Sequence, residues 1–323
     1  MPARLHSDKA MGIGRILGRA ALVSACLALA ACVMPTPDTS PRPEPREDEG
    51  PPPPSAESES FARYYASVQA RLVSDGMLRT DGGGVDTPFS AAQLAANFER
   101  IALYDEYALS GGRFIAQQTP SRLRRWDQPV RIQPHFGAYV DDAQQAEDRS
   151  VLSTYVSRLA RVSGHPIRVV NSGGNFHVLY INRDEQRTAG DLVRQLVPGI
   201  SAETVNEIQT LSRFTFCSVY AFSQAGGGST YVAAIAIIRD EHPDLLRRSC
   251  VHEEVAQGMG LPNDSPAARP SIFNDDEEFA LLTRHDELLL RILYDDRLTP
   301  GMQPDEARPI VRQIAEEVMN RPS

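Results

Sequence analysis

Lysine is nearly absent from this chain of 323 residues. The single lysine, Lys9, lies near the start, so every charged basic residue beyond it is arginine. We read that bias as genome composition, without functional message. The glycine runs Gly82–Gly84 and Gly226–Gly228 lack the lysine of a phosphate loop and read as turns. No serine sits in a G-x-S-x-G context, which removes the nucleophile elbow. His135, His165, His177, His242 and His285 are scattered and show no ligand spacing. A cationic surplus is missing too. The formal net charge is −9, and a nucleic-acid binder needs a basic surface, so no nucleic-acid partner is expected. The basic run Ser121-Arg122-Leu123-Arg124-Arg125 then reads as a solvated patch or a set of salt-bridge partners.

The N-terminus holds a targeting pattern. Arg4, Lys9, Arg15 and Arg19 make a positive region, and Ala20 to Ala31 is apolar but short for a membrane span. It ends in Leu29-Ala30-Ala31-Cys32, which resembles the lipobox of bacterial lipoproteins. That resemblance implies cleavage before Cys32 and acylation, by palmitate-type chains, of its sulfur and new amino group. The alternative is an ordinary signal peptide with an incidental cysteine, and Met11 is a second possible start that keeps Arg15 and Arg19. Residues 1–31 are therefore expected to be a signal peptide, and acylated Cys32 to tether the protein to a bilayer. The domain would face the periplasm from the cell membrane or outer membrane. Val33, where sorting would place Asp for retention, leans toward the outer membrane. Residues 32–60, rich in Pro, Glu, Asp and Ser, read as a linker. Cleavage removes four basic residues and one acidic, leaving 29 basic against 41 acidic and a net charge of −12.

Cysteine is scarce in what remains. Cys217 and Cys250 are the only two beyond Cys32, and in an oxidising compartment they predict one disulfide; two buried thiols are the alternative. Residues 61–125 read as a helical segment. Phe61, Tyr64, Tyr65, Val68 and Leu72 make one stripe. Ser90-Ala91-Ala92-Gln93 is a capping box ahead of Leu94, Phe98, Ile101, Tyr104 and Tyr107 or Ala108.

From Trp126 to the end, residues 126–323, strands and helices alternate. Strands are expected at Val130–Gln133, Ile167–Val170 and Phe176–Ile181, the last two joined as a hairpin through Gly173-Gly174. A long helix spans Asp141 to Val162. Thr215–Phe222 and Thr230–Ile238 form a second pair. A further helix follows Pro243 and runs to about Met259, capped by Gly260. The fold class is α+β: a mixed twisted sheet with a long backing helix.

The stretch from Arg247 to Asp264 carries the chemistry. Glu253 and Gln257 lie four apart on one helix face, and Asn263 and Asp264 follow the glycine turn. This layout resembles the metzincin branch of the zincin metalloproteases, whose signature is HExxHxxGxxH. Aligned on Gly260, the three ligand positions hold Glu253, Gln257 and Asn263, and Glu254 takes the general-base position. The register that uses His252-Glu253 as the HE fails, because Ala256 and Met259 would then replace the second histidine and the glycine. His252 reads as a buried or capping histidine. Ser271-Ile272-Phe273-Asn274-Asp275 is similar to the methionine turn of those enzymes, with Phe273 in the methionine's place. Leu282-Thr283 with Asp286 resembles their C-terminal helix, and Thr283 and Asp286 also read as a helix cap. The whole chain further resembles a family of proteobacterial lipoproteins defined by a domain of unknown function (2927), which carries an EExxQxxGLPND stretch.

One carboxylate and two amide oxygens are a poor zinc set and suit a hard cation better. Three readings stay open. A metal-free polar cluster is the one adopted. A hard cation such as Ca²⁺ or Mn²⁺, with oxygens from Asp264, Asn274, Asp275 and Asp276, is the second, and Zn²⁺ the third. Two functions follow. One is a non-catalytic envelope lipoprotein whose metzincin-like cleft, edged by the Thr230–Ile238 strand, binds a peptide or protein partner. The other is a metal-dependent peptidase in which Glu254 deprotonates a metal-bound water.

Overall fold

Two helices with side-chain caps come first in the computed structural model, which describes residues 50–110, 113–224, 226–274 and 276–320. The segment before residue 50, including Cys32, lies outside the described residues. Residues from Gly50 onward form one compact unit. Helix α1, Ala56–Ser74, begins where the Ser55 side chain accepts from Ser58 N, with Glu57 and Glu59 in the dipole-favoured first turn. The end of the expected linker is therefore helical. Helix α2, Ala91–Ala102, has the Ser90–Gln93 capping box.

The helix expected to continue through Tyr107 or Ala108 stops at Ala102. Strands β1, Tyr104–Ser110, and β2, Arg113–Pro120, form an antiparallel pair instead. Tyr and Phe favour strands, and the chain returning as β2 offers a ladder that outcompetes another helical turn. The residues 61–125 are thus helix, helix and hairpin.

The central sheet follows in chain order: β3, Val130–Phe136; helix α3, Asp142–Ser163; β4, Ile167–Val169; β5, Phe176–Ile181; helices α4, Arg183–Thr188, α5, Gly190–Leu196, and α6, Ala202–Thr210; then β6, Ser218–Ser223, and β7, Tyr231–Arg239. Helices α7, Asp244–Gln257, α8, Arg284–Leu293, and α9, Pro304–Asn320, complete the unit. The strand order is β4-β3-β5-β7-β6. Four strands are parallel, and β6 runs antiparallel on the edge.

The expected hairpin between β4 and β5 does not exist: both pair with β3, one on each side. The connection crosses over β3, and Gly174 marks the crossing, since a Cβ there would lie 2.5 Å from Gln133 Cβ. A glycine was needed for close approach rather than for a turn.

β5 is buried at every position, as a strand covered on both faces should be. Phe176, Val178, Tyr180, Ala234, Ala236 and Ile238 share one core with α3 and α7. Leu179, Ile181, Ile235 and Ile237 meet Val193 and Ile208 of α5 and α6 on the opposite face. Helix α7 is thereby held between the sheet and α3. It ends two residues earlier than expected, at Gln257, with Gly258 as its cap. The sheet sets that end. A Cβ on Gly258 would stand 2.4 Å from the Phe176 ring, and Trp126 Nε1 donates to Gly258 O at 2.8 Å. Among the described residues no helix is long and apolar enough to cross a membrane.

Candidate functional site

Helix α7 presents Glu253, Glu254 and Gln257 to a cleft whose opposite wall is β6 and the loop before it. The cleft has two stretches, of about 660 Å³ and about 530 Å³, that share Thr215, Cys217, Glu253 and Glu254. The larger stretch adds Ser218, Val219 and Tyr220 of β6, with Glu207, Arg124 and Asp264. The smaller runs past Arg71, Phe214, Asp276 and Glu277. The strand at the cleft is therefore β6; β7, the Thr230–Ile238 strand expected there, lies inside the sheet between β5 and β6.

Three anchors fix this geometry. Cys217, just before β6, is bonded to Cys250 of α7, with Cα atoms 5.8 Å apart, so the two walls are covalently joined. The loop entering β6 is gripped by Arg239, which is almost fully buried and donates to Leu211 O, Ser212 O and Thr215 O. At the start of α7, Arg247 makes a two-pronged pair with Asp148 of α3, its shortest contact being 2.6 Å.

The residues singled out from sequence are placed as follows. Glu253, Glu254 and Gln257 all line the cleft. Glu254 is buried, and its Oε2 has no hydrogen-bond partner among the described residues. Gln257 Nε2 donates to Asp264 Oδ1 at 3.3 Å. Asn263 reaches the cleft, but its amide nitrogen donates to Ile101 O at 3.2 Å and to Tyr104 O, tying the post-helix turn to the end of α2. His252 faces elsewhere: its Nδ1 accepts from Leu282 N at 3.0 Å and its ring stacks on Tyr155 at 3.8 Å. Burial pushes its pKa down to about 3, so it is a neutral structural acceptor. Phe273 is fully buried, and its turn is held by Asp286, which accepts from Ser271 Oγ and Ile272 N while closing a capping box with Thr283. Asn274 donates to Ala268 O and accepts from Asp276 N, and Asp275 lies outside the described residues. Sequence spacing missed one meeting: His135 and His177, on neighbouring strands, approach to 3.0 Å.

The donor set can be tested against zinc. A catalytic zinc takes three imidazole, thiolate or carboxylate ligands and keeps one position open. Here Glu253 offers a carboxylate, while the amides of Gln257 and Asn263 are engaged as donors and leave only weak amide oxygens. Among the described residues, the group of three His, Cys, Asp or Glu donors within 4.8 Å of one another is Cys217, Glu253 and Glu254, and the Cys217 sulfur is already bonded to Cys250. These residues do not fit a zinc ion.

Burial and then the Asp264 charge hold the Glu254 carboxyl well above the usual carboxylate range, which favours its protonated form. The folded-state value is raised, so the stability this group contributes is complete below the ordinary carboxyl range and is lost as pH rises through the raised value. Glu254→Gln, neutral at every pH, is expected to raise the thermal midpoint at pH 8 and to change it little at pH 4.5. Equal changes at both pH values would show that Glu254 is not held protonated by the fold.

Residues 91–313 match the family described as "Protein of unknown function (DUF2927)". The chain belongs to that family. No curated protein matches it. The DUF2927 match spans the whole sheet, α7, and both carboxyl-bearing turns after it, whereas α1 lies outside. Val68, Arg71 and Leu72 of α1 nevertheless line the smaller stretch of the cleft, so one end of it is built from residues beyond the family match.

Proposed function

We propose that the protein is a lipid-anchored lipoprotein of the cell envelope whose metzincin-like domain is non-catalytic and binds an extended segment of a peptide or protein partner. One observation carries this reading. The outer edge of β6 pairs with no strand among the described residues, and it borders a cleft floored by α7. An extended segment laid along that edge would satisfy its backbone groups as an added strand, and the cleft would take alternate side chains. The antiparallel edge strand beside a helix that ends at a glycine supports the metzincin-like scaffold. Catalysis is disfavoured by the chemistry: the donors beside Glu254 do not fit a zinc ion, and an unactivated water is a poor nucleophile. Acylation of Cys32 would supply the anchor, through burial of its chains in the bilayer.

The full mature protein, purified in detergent, is expected to protect Ser218–Ser223 amides from hydrogen exchange when an extended peptide binds. After exposure in turn to Zn²⁺, Mn²⁺ and Ca²⁺ it is expected to retain substoichiometric metal. Stoichiometric metal that disappears in Glu253→Ala and Gln257→Ala would sink the metal-free reading in favour of a metallopeptidase. Cys32→Ala should move the protein out of the membrane fraction; continued membrane association would refute the anchor.

A further inference from the structure

The cleft is acidic, and its centre holds a carboxyl oxygen, Glu254 Oε2, that has no partner among the described residues. Its two stretches are lined by six carboxyl side chains, Glu207, Glu253, Glu254, Asp264, Asp276 and Glu277, against two guanidinium groups, Arg71 and Arg124. Glu254 lines both stretches where they meet, fully buried, with Oε2 bonded to nothing among the described residues. A buried polar atom without a partner is costly, and on a side chain that lines a cleft it marks where a ligand donor fits. The donor that suits a run of carboxyls is a cation.

We infer that the segment received by this cleft carries an arginine or lysine side chain, whose cation sits beside Glu254 and Asp264 at the junction of the two stretches. The inference rests on the peptide-binding reading above and gives its partner a chemistry. A metal cation is a poorer occupant, because the third close donor is the oxidised sulfur of Cys217. The chain's own linker is a poorer one too. Residues 33–49 carry Asp38, Glu44, Glu47, Asp48 and Glu49 against Arg42 and Arg46, so the acidic cleft repels them. An incoming guanidinium or ammonium brings its donors to Glu254 Oε2 and lowers the repulsion among the surrounding carboxylates, and Arg fits a carboxyl with its two-pronged fork.

The test uses the full mature protein in detergent and fluorescent heptapeptides Thr-Val-Thr-X-Thr-Val-Thr, with X as arginine, lysine, citrulline, norleucine or glutamate. Their background is extended and uncharged, so X alone varies. The Arg and Lys peptides are expected to bind about tenfold tighter than the other three at low salt, with the advantage shrinking as salt is raised. The seated cation favours the ionised form of Glu254, so Glu254→Gln should reduce that ratio to about twofold or less, and Asp264→Asn provides the same readout should the first variant fold poorly. Equal binding of all five peptides overturns this inference and leaves strand addition standing. Binding of none overturns both. Tighter binding of a peptide of residues 33–49 than of the Arg peptide overturns it as well, and assigns the cleft to the chain's own linker.

Discussion

Asp148→Ala is expected to destabilise the fold by about 3–5 kcal/mol, a large part of the roughly 5–15 kcal/mol that holds a typical domain together. Asp148 and Arg247 are both almost wholly buried, with side-chain exposures of 6% and 4%. Asp148 accepts from Arg247 Nε and Nη2 and from Gln144 Nε2. Removing it leaves a guanidinium in the interior with Asp240 as its remaining carboxylate, at 3.1 Å. The cost comes from that stranded charge more than from the lost pair. A double variant, Asp148→Leu with Arg247→Met, should therefore recover most of the loss, because apolar side chains of similar volume are tolerated where an unpaired ion is not. Trp126 is the only tryptophan and is buried, so its fluorescence follows urea unfolding directly. A loss below about 1 kcal/mol, the range of exposed pairs, would mean that the pair is hydrated. The variant also bears on the cleft, since Arg247 fixes the start of the helix that delivers Glu253, Glu254 and Gln257.

What could be read in the sequence followed local chemistry. The caps of α2 and α8 were visible because Ser90 with Gln93, and Thr283 with Asp286, are complete three residues apart. The β6–β7 hairpin was visible because its strands are neighbours in the chain and three glycines separate them. The same habit of pairing neighbours gave the wrong partner to β4, for which only the long α3 crossover reveals that β3 lies between. The β1–β2 pair was hidden because Tyr104, Tyr107 and Ala108 continue the helical period of α2, and periodicity does not know that a returning strand is available.

At the site, helical spacing put Glu253 and Gln257 on one face, and both line the cleft together with Glu254 and Asn263. It could not say that the amide of Asn263 is spent on Ile101 O and Tyr104 O, since those carbonyls lie some 160 residues earlier. Nor could it show Asp148, which is 99 residues from Arg247. Long-range polar partners carry no periodic signature, and they decide here whether a side chain is a ligand or a tie.

Replacing Cys217 and Cys250 together by alanine is expected to cost about 3–4 kcal/mol, from the chain-entropy estimate for a closed loop of this length. The two residues are 33 apart in sequence, and the loop between them contains β6 and β7. Both must change, since a single replacement leaves a thiol free to pair elsewhere. The six paired positions between β6 and β7, together with the grip of Arg239 on Leu211, Ser212 and Thr215, should keep the sheet assembled without the bridge. The loss should therefore be local in the native state. Residues 215–219 would exchange their amides faster, while β5 and β7, buried in the sheet, would not. Peptide affinity should fall in parallel, because the wall carrying the open strand edge is no longer fixed to the helix carrying Glu254. A dithiol reductant acting on the native protein should reproduce both effects, since Cys217 faces the cleft. Unchanged exchange at residues 215–219, in the variant or under reduction, would show that Arg239 alone holds the wall and that the disulfide contributes stability without shaping the cleft.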